Sequence, residues 1–533
     1  MRPVKSTPVA GMTRRGFLAA FAALALAAQG RVAVGASTPP AAPNLFTTDE
    51  PLTGGRMLAS GGRLLPPRRV PRFHLLGIHW RGAGQVWARA RRASGPWTPW
   101  WRIELELPAR AGGWQIGNPL WTGAADQVQY RLEGAVVGLH AHYVQSSPVP
   151  QRRLAHPPVP GMVGRAGWQA DESIVARPPA VASRLRLAIV HHTAGQNATS
   201  PDESVAIVRA IQLYHVQGNG WDDIGYNFLV DRFGQIFEGR AGGIERNVVG
   251  AHTAGVNTGS LGVAVIGGYE SVGLSSAARA ALVRLLAWRL DAAHVDPEAP
   301  VAVVVDGAER TLPAIVGHRE LARTACPGGA LAAELASVAR EVAQTGFPKL
   351  YEPRLEGAVP GAVRFQARLS ESRSWRIVVV DGQGQQVAVA SGQGDEIDWT
   401  WDARRGHGGH AWAITSGPHV RPAAGLVPIA ETPGGRADPA EPRPAEAPRT
   451  IPAWAWQLHA WQRQPADRRG PRPSAPRKPP PWYWTWHRWR MQTVEAHRSE
   501  LRRQIAGLRR AGLTWRDIKA SPVWDLYVAL GGR

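Results

Sequence analysis

The sequence predicts a multidomain protein with a central α/β domain, all-β sandwich modules before and after it, and a tail rich in Trp and Arg. At roughly 150 residues per domain, 533 residues correspond to about three or four domains. Apolar residues make up 44% of the chain, which suffices for several packed cores. Strand and helix patterns alternate only within residues 161–345, whereas short strand patterns dominate on both sides of that segment.

The chain is strongly basic, with 62 Lys and Arg against 41 Asp and Glu and a net charge of +21. Such a charge suits either nucleic acid or anionic polymers of a cell envelope. No recognised nucleic-acid motif accompanies the charge, so we expect no nucleic-acid partner. The single cysteine, Cys326, excludes an intrachain disulfide and any metal site that needs two thiolates.

Residues 1–36 predict a twin-arginine signal peptide. Arg14 and Arg15 precede an apolar run over residues 17–28, which is too short to span a bilayer comfortably, and residues 34–36 (Val-Gly-Ala) suit a cleavage site. We therefore expect export to the cell wall, the periplasm or the extracellular space. No later segment has 18 consecutive apolar residues, so we expect no transmembrane segment in the mature chain.

Two flanking segments show strand patterns. Within residues 45–150, the segments 85–91 and 127–132 alternate as half-buried strands do, which predicts a β-sandwich in which no group of side chains indicates chemistry. Residues 347–425 resemble a small immunoglobulin-like β-sandwich, with an apolar strand over 374–380 before an Asp-Gly turn.

Residues 426–533 combine a Pro-rich linker with a Trp- and Arg-rich repeat tail. Trp454 and His459 recur 28 positions later as Trp482 and His487. Nine of the 23 tryptophans lie here, beside an excess of Arg, a composition that favours binding to sugars or to anionic cell-envelope polymers. A pair of Trp-anchored hairpins packed on each other is an equally good interpretation. A helix is predicted over residues 493–510.

The central segment contains the candidate site residues. The apolar strand over residues 185–191 places His191 at its carboxyl end, a usual position for functional groups in α/β sheets. Ser200 and Glu203 predict a capped helix start, and residues 224–238 predict a hairpin. Further along, a strand over 259–269 and a helix over 276–293 precede His318 and Cys326.

His191, His318 and Cys326 together would form a two-histidine, one-cysteine zinc site. Three protein ligands leave the fourth tetrahedral position open, as in catalytic rather than structural zinc sites. The residues alone also allow a hydrolase in which Cys326 is the nucleophile.

Residues 162–345 resemble the peptidoglycan recognition proteins and the zinc-dependent N-acetylmuramoyl-L-alanine amidases of the phage-lysozyme type. The resemblance rests on ordered motifs over about 185 residues: VHHTAG (190–195), DIGYNFL (223–229), GAHTAG (250–255), GHREL (317–321) and TACPG (324–328).

The resemblance implies Zn²⁺ as cofactor, with His191, His318 and Cys326 as metal ligands. It also implies that Tyr226 and Thr324 are catalytic. His252 is expected in the substrate groove, although a buried core histidine is the equally common alternative. The implied reaction is hydrolysis of the amide bond between N-acetylmuramic acid and L-alanine in peptidoglycan. The alternative function is peptidoglycan recognition without catalysis.

Overall fold

The computed structural model describes residues 42–533 apart from 60, 94, 108–112, 148–161, 198, 347, 405, 407, 418, 431–454, 456, 459–460, 463–473, 475, 477–478, 520 and 531–533. The predicted signal peptide lies outside the described residues, as does most of the first copy of the tail repeat. Among the described residues, no helix is both long and apolar enough to cross a membrane.

The N-terminal domain is one connected antiparallel sheet of ten strands. Its strands are β1 (Asn44–Asp49), β2 (Arg56–Met57), β3 (Arg63–Leu64), β4 (Arg68–Arg81), β5 (Gln85–Arg91), β6 (Trp101–Arg102), β7 (Leu105–Leu107), β8 (Trp114–Gly117), β9 (Leu120–Glu133) and β10 (Gly138–Gln145). The alternating segments around 85–91 and 127–132 form β5 and part of β9, which pair with each other. Their inward side chains, such as Val86 and Tyr130, are buried in one core. The all-β character is confirmed, and the two-sheet sandwich stays a prediction.

The central domain is built on a mixed six-stranded sheet in the order β11-β14-β13-β15-β12-β18. Its strands are β11 (Met162–Val163), β12 (Leu187–His192), β13 (Phe228–Val230), β14 (Ile236–Glu238), β15 (Ser260–Val265) and β18 (Ile315–Gly317). A separate hairpin, β16 (Pro300–Val305) with β17 (Ala308–Pro313), precedes β18. Strand β12 runs parallel to both β15 and β18, and β13 with β14 forms the predicted hairpin.

Helices cover both faces of the central sheet: α1 (Pro201–Leu213) on one face, and α2 (Ser276–Ala292) with α3 (Gly329–Gln344) on the other. Helix α1 begins with the predicted capping box, in which the Ser200 side chain accepts from the Glu203 amide and the Glu203 side chain accepts from the Ser200 amide. A π-helical turn, Tyr214–Gly218, continues α1. The predicted mixed sheet with flanking helices is therefore confirmed.

The C-terminal module combines a five-stranded antiparallel sheet with helices. The strands are β19 (Leu350–Gly357), β20 (Ala362–Val380), β21 (Gln386–Asp402), β22 (Ala411–Thr415) and β23 (Ala423–Leu426), and the helices are α4 (Pro481–Arg510), α5 (Trp515–Lys519) and α6 (Pro522–Ala529). Leu501 and Ile505 of α4 pack on Val378 of β20 and Ala413 of β22. The hairpin interpretation is wrong for the second repeat copy, because its residues 481–489 lie in α4. The immunoglobulin-like sandwich stays a prediction.

The N-terminal sheet packs directly on the central domain. Trp121 of β9 shares a buried apolar cluster with Val205 of α1. Tyr214 donates a hydrogen bond from its hydroxyl to the Gly117 carbonyl at 2.9 Å. A Cβ atom on Gly77 of β4 would lie 1.9 Å from the Tyr214 ring, so only glycine fits under that ring. This packing places Glu104 next to His192 at the end of β12, and Leu105 next to Thr324 in the loop that follows β18.

Candidate metal centre

His191, His318 and Cys326 converge at one edge of the central sheet. His191 lies near the end of β12, and His318 directly follows the neighbouring parallel strand β18. Cys326 lies between the short 3₁₀ turn His318–Glu320 and α3. One ligand atom from each residue lies within 4.8 Å of the others, and Cys326 Sγ is 3.7 Å from His191 Nδ1. The structure therefore brings the three predicted ligands together.

The loop that carries Cys326 is held by its own backbone. The Arg319 amide donates to the Cys326 carbonyl at 2.8 Å, which folds the loop back toward β18. The Cys326 amide donates to Thr324 Oγ1 at 3.2 Å, and the His192 amide donates to Cys326 Sγ at 3.4 Å. The thiol position is thus set by both β12 and its own loop.

Burial holds both candidate histidine ligands in the neutral form. It lowers the pKa of His191 well below its ordinary value, with a smaller contribution from His318, and lowers the pKa of His318 to about 4. Burial also raises the pKa of the Cys326 thiol well above its ordinary value, and the Glu104 carboxylate adds to this effect. Neutral imidazoles are ready to bind a metal, whereas the thiol needs a cation to lose its proton.

Tyr226 stands beside the three residues as a neutral phenol. Its ring centroid lies 5.3 Å from that of His191. The hydroxyl donates to Glu106 Oε1 at 3.3 Å. Burial raises the pKa of Tyr226 well above its ordinary value, and the Glu106 carboxylate raises it further. The phenol therefore keeps its proton and can act as a hydrogen-bond donor.

Thr324 and His252 both contact the centre, in different ways. Thr324 Oγ1 donates to the Leu105 carbonyl at 3.0 Å while it accepts from the Cys326 amide. His252 is buried, with Nδ1 3.1 Å from His191 Nε2. This contact is the kind that orients a metal-binding imidazole. A direct contact of His252 with substrate stays a prediction.

The N-terminal domain contributes two carboxylates to this centre, contrary to the expectation that it holds no chemical group of interest. Glu104 Oε2 lies 2.7 Å from His192 Nε2. Glu106 Oε1 lies 3.0 Å from His215 Nε2, close enough for an ion pair although not aligned as a hydrogen bond. No sequence signal could have found them, because the contact depends on how the two domains dock.

A buried ion pair supports the loop before Tyr226. Asp223 Oδ2 lies 3.0 Å from Arg165 Nη1 and accepts from the Ala241 amide at 2.8 Å. Arg165 also binds Glu172 through its Nε at 2.8 Å. The loop that presents Tyr226 is therefore anchored on two sides.

Comparison with known proteins finds similarity in two segments. Residues 182–329 match the N-acetylmuramoyl-L-alanine amidase family, and residues 36–157 match the family described as Rv3811 N-terminal galactose-binding domain-like. These matches correspond to the central and N-terminal domains.

The chain is 34% identical over 148 residues to peptidoglycan-recognition protein SC2 of Drosophila simulans, covering 28% of this chain and 71% of that protein. It is 36% identical over 174 residues to human N-acetylmuramoyl-L-alanine amidase, covering 32% of this chain and 27% of that protein. Among solved structures, it is similar to human PGRP-IβC in complex with glycosamyl muramyl pentapeptide, at 30% identity and a TM-score of 0.28, covering 33% of this chain and 96% of that one.

Proposed function

Because the chain belongs to the family of peptidoglycan recognition proteins and N-acetylmuramoyl-L-alanine amidases, we propose that it hydrolyses the amide bond between N-acetylmuramic acid and L-alanine in peptidoglycan, with Zn²⁺ as cofactor. The observation that carries the proposal is the convergence of His191, His318 and Cys326, whose ligand atoms lie within 4.8 Å of one another. Family members that only recognise peptidoglycan need no such set.

The residues fit zinc by their chemistry. Two neutral imidazoles and one thiol are the donors that zinc prefers, and three protein donors are the number used in catalytic sites. His191 faces Cys326 through Nδ1, while its Nε2 faces His252. A zinc ion held by these three residues would supply Lewis-acid polarisation of the scissile carbonyl and would lower the pKa of a water.

Tyr226 and Thr324 are proposed to act on the reacting carbonyl. The phenol of Tyr226 keeps its proton, so it would donate a hydrogen bond to the oxygen on which charge develops in the transition state. Thr324 has one hydroxyl proton to donate and already binds the Cys326 amide through its oxygen, so its donor direction is fixed. His252 would hold the His191 ring in place and would meet substrate at the edge of the groove.

The remaining parts of the chain are proposed to bring the enzyme to its substrate. Residues 1–36 would direct export through the twin-arginine pathway, since peptidoglycan lies outside the cytoplasmic membrane. Residues 426–533, which carry 18 Lys and Arg against seven Asp and Glu from position 441 onward, would bind anionic cell-envelope polymers. The immunoglobulin-like module, residues 347–425, would connect the central domain to this tail.

Mass spectrometry of the soluble products from purified peptidoglycan tests the proposal. We expect free stem peptides that begin at L-alanine, which disappear when a chelator is present and return when zinc is restored. A protein that sediments with peptidoglycan but releases no such peptides would instead be a recognition protein without catalysis.

A further inference from the structure

Residues 104–106 of the N-terminal domain lie across the group of side chains that would act on substrate. We infer that this segment is an internal occupant of the catalytic groove, which must withdraw before a muramyl peptide can bind. The inference rests on the proposed function, because it takes the surface around Tyr226 and Thr324 as the substrate site.

Both proposed catalytic side chains are already engaged by this segment. The Thr324 hydroxyl donates to the backbone carbonyl of Leu105 at 3.0 Å. The Tyr226 hydroxyl donates to Glu106 Oε1 at 3.3 Å. Neither donor can serve a substrate carbonyl while it is bound to the N-terminal domain.

The carboxylates of Glu104 and Glu106, on either side of Leu105, also contact the central domain. Glu104 pairs with His192, and Glu106 lies against His215 and accepts from Asn219 Nδ2 at 3.4 Å. A muramyl peptide carries the same chemical groups, amide carbonyls and carboxylates. The segment thus satisfies the polar groups that such a ligand would use.

The candidate metal ligands and Tyr226 are also covered, so substrate cannot reach them in this conformation. His191, His318, Cys326 and Tyr226 are each 3% exposed or less. An enzyme that acts on a polymer must open a path to these groups, because substrate has to reach them directly. The conformation described here is therefore closed.

The segment can withdraw without separating the two domains. Strand β7 has three residues, and its strand partner β8 has four, with a register shift between Leu105 and Leu107. Other contacts between the two domains would remain, such as Trp121 against α1 and Tyr214 against Gly117. Few backbone hydrogen bonds therefore oppose local movement of β7.

The test compares the full-length zinc-loaded chain with a Glu104→Ala, Glu106→Ala double variant. The substrate is a soluble muramyl tripeptide, and zinc content is measured in parallel. We expect kcat/KM to rise about tenfold or more with zinc content unchanged, since loss of contacts worth about 1.4 kcal/mol shifts a closed-open equilibrium tenfold. The matched control is Glu133→Ala, whose carboxylate pairs with Arg131 within the N-terminal domain, and its kcat/KM should stay unchanged.

A fall in kcat/KM with full zinc content would overturn the inference, because the carboxylates would then serve the reaction. An unchanged kcat/KM would overturn it as well. If the double variant folds poorly, Glu104→Gln with Glu106→Gln keeps the side-chain size and should give a smaller increase.

A second measurement separates this inference from the proposed hydrolysis. Calorimetry measures the binding of the muramyl tripeptide to each chain after a chelator has removed zinc. Tighter binding by the double variant, with no turnover by any zinc-loaded chain, would support the occupied groove and reject the amidase. Equal binding by both chains would reject the occupied groove whatever the turnover.

Discussion

Cys326 Sγ lies 3.7 Å from His191 Nδ1, although the two residues are 135 positions apart. The parallel pairing of β12 with β18 produces this contact, because it aligns the carboxyl ends of both strands, and the loop after β18 then folds back with Cys326. The geometry brings together three candidate metal ligands that the chain supplies from separate segments.

Replacement Cys326→Ser should remove turnover of peptidoglycan to background and lower bound zinc. A hydroxyl is a much weaker zinc ligand than a thiolate, and only two imidazoles would remain. Activity and zinc content by elemental mass spectrometry check this on the same preparation. Full zinc content with full turnover in the variant would exclude Cys326 as a ligand.

Replacement Tyr226→Phe should lower kcat by about 10²–10³-fold, because it removes a hydrogen-bond donor to the developing oxyanion. Zinc content should stay unchanged. Tyr214→Phe is the matched control, since its hydroxyl binds the Gly117 carbonyl away from the metal centre, and its kcat should change little. An equal loss in both variants would mean that the tyrosines act through folding alone.

Local signals predicted most of the central domain. The strand ending at His191, the capped start of α1 and the hairpin β13–β14 follow from periodicity and capping, which act within a few residues. The convergence of the three ligands came from resemblance to a family, since spacing alone left a cysteine nucleophile open.

Two features could not be predicted because they depend on packing between distant segments. Glu104 and Glu106 reach the metal centre only when the N-terminal sheet docks on α1. The Trp-rich second repeat resembled a hairpin in sequence, yet it begins α4, whose later residues Leu501 and Ile505 cover an apolar face of the C-terminal sheet. Tertiary burial outweighs local propensity there.

Replacement Asp223→Asn should lower the free energy of unfolding by about 1.5–3 kcal/mol, because it removes the buried carboxylate that pairs with Arg165 and leaves only the more exposed Glu172. The surface pair of Asp222 with Arg177 provides the control, and Asp222→Asn should cost less than about 1 kcal/mol. Denaturant unfolding measures both. Similar values for the two variants would contradict the anchoring role of Asp223.

Replacement Gly77→Ala should destabilise the contact between the N-terminal and central domains by about 1–3 kcal/mol, since its Cβ would overlap the Tyr214 ring. Gly95→Ala is the control, because its Cβ would have ordinary contacts of 3.6 Å or longer. Thermal unfolding of both variants checks this. An unchanged melting temperature for Gly77→Ala would show that Tyr214 moves aside freely.

Acid should destabilise the N-terminal domain partly through His142. Burial, followed by the neighbouring His79 and His140, lowers the pKa of His142 from 6.5 to about 3. Between pH 6.5 and 3, the unfolded chain therefore binds a proton at His142 and the folded chain does not. The free energy of unfolding falls by about 1.4 kcal/mol per pH unit as pH drops through this range. Replacement His142→Gln should flatten that slope in urea unfolding at pH 6.5, 5.5 and 4.5, and identical slopes would contradict the assignment.

The most direct test of the proposed reaction is hydrolysis of a muramyl tripeptide in water labelled with ¹⁸O, followed by mass spectrometry of both products. We predict one ¹⁸O in the lactyl carboxylate of the muramic acid and none in the peptide, which leaves with a free amino group on L-alanine. Label in a peptide carboxylate, or two unlabelled fragments, would contradict cleavage of the muramoyl-alanine amide.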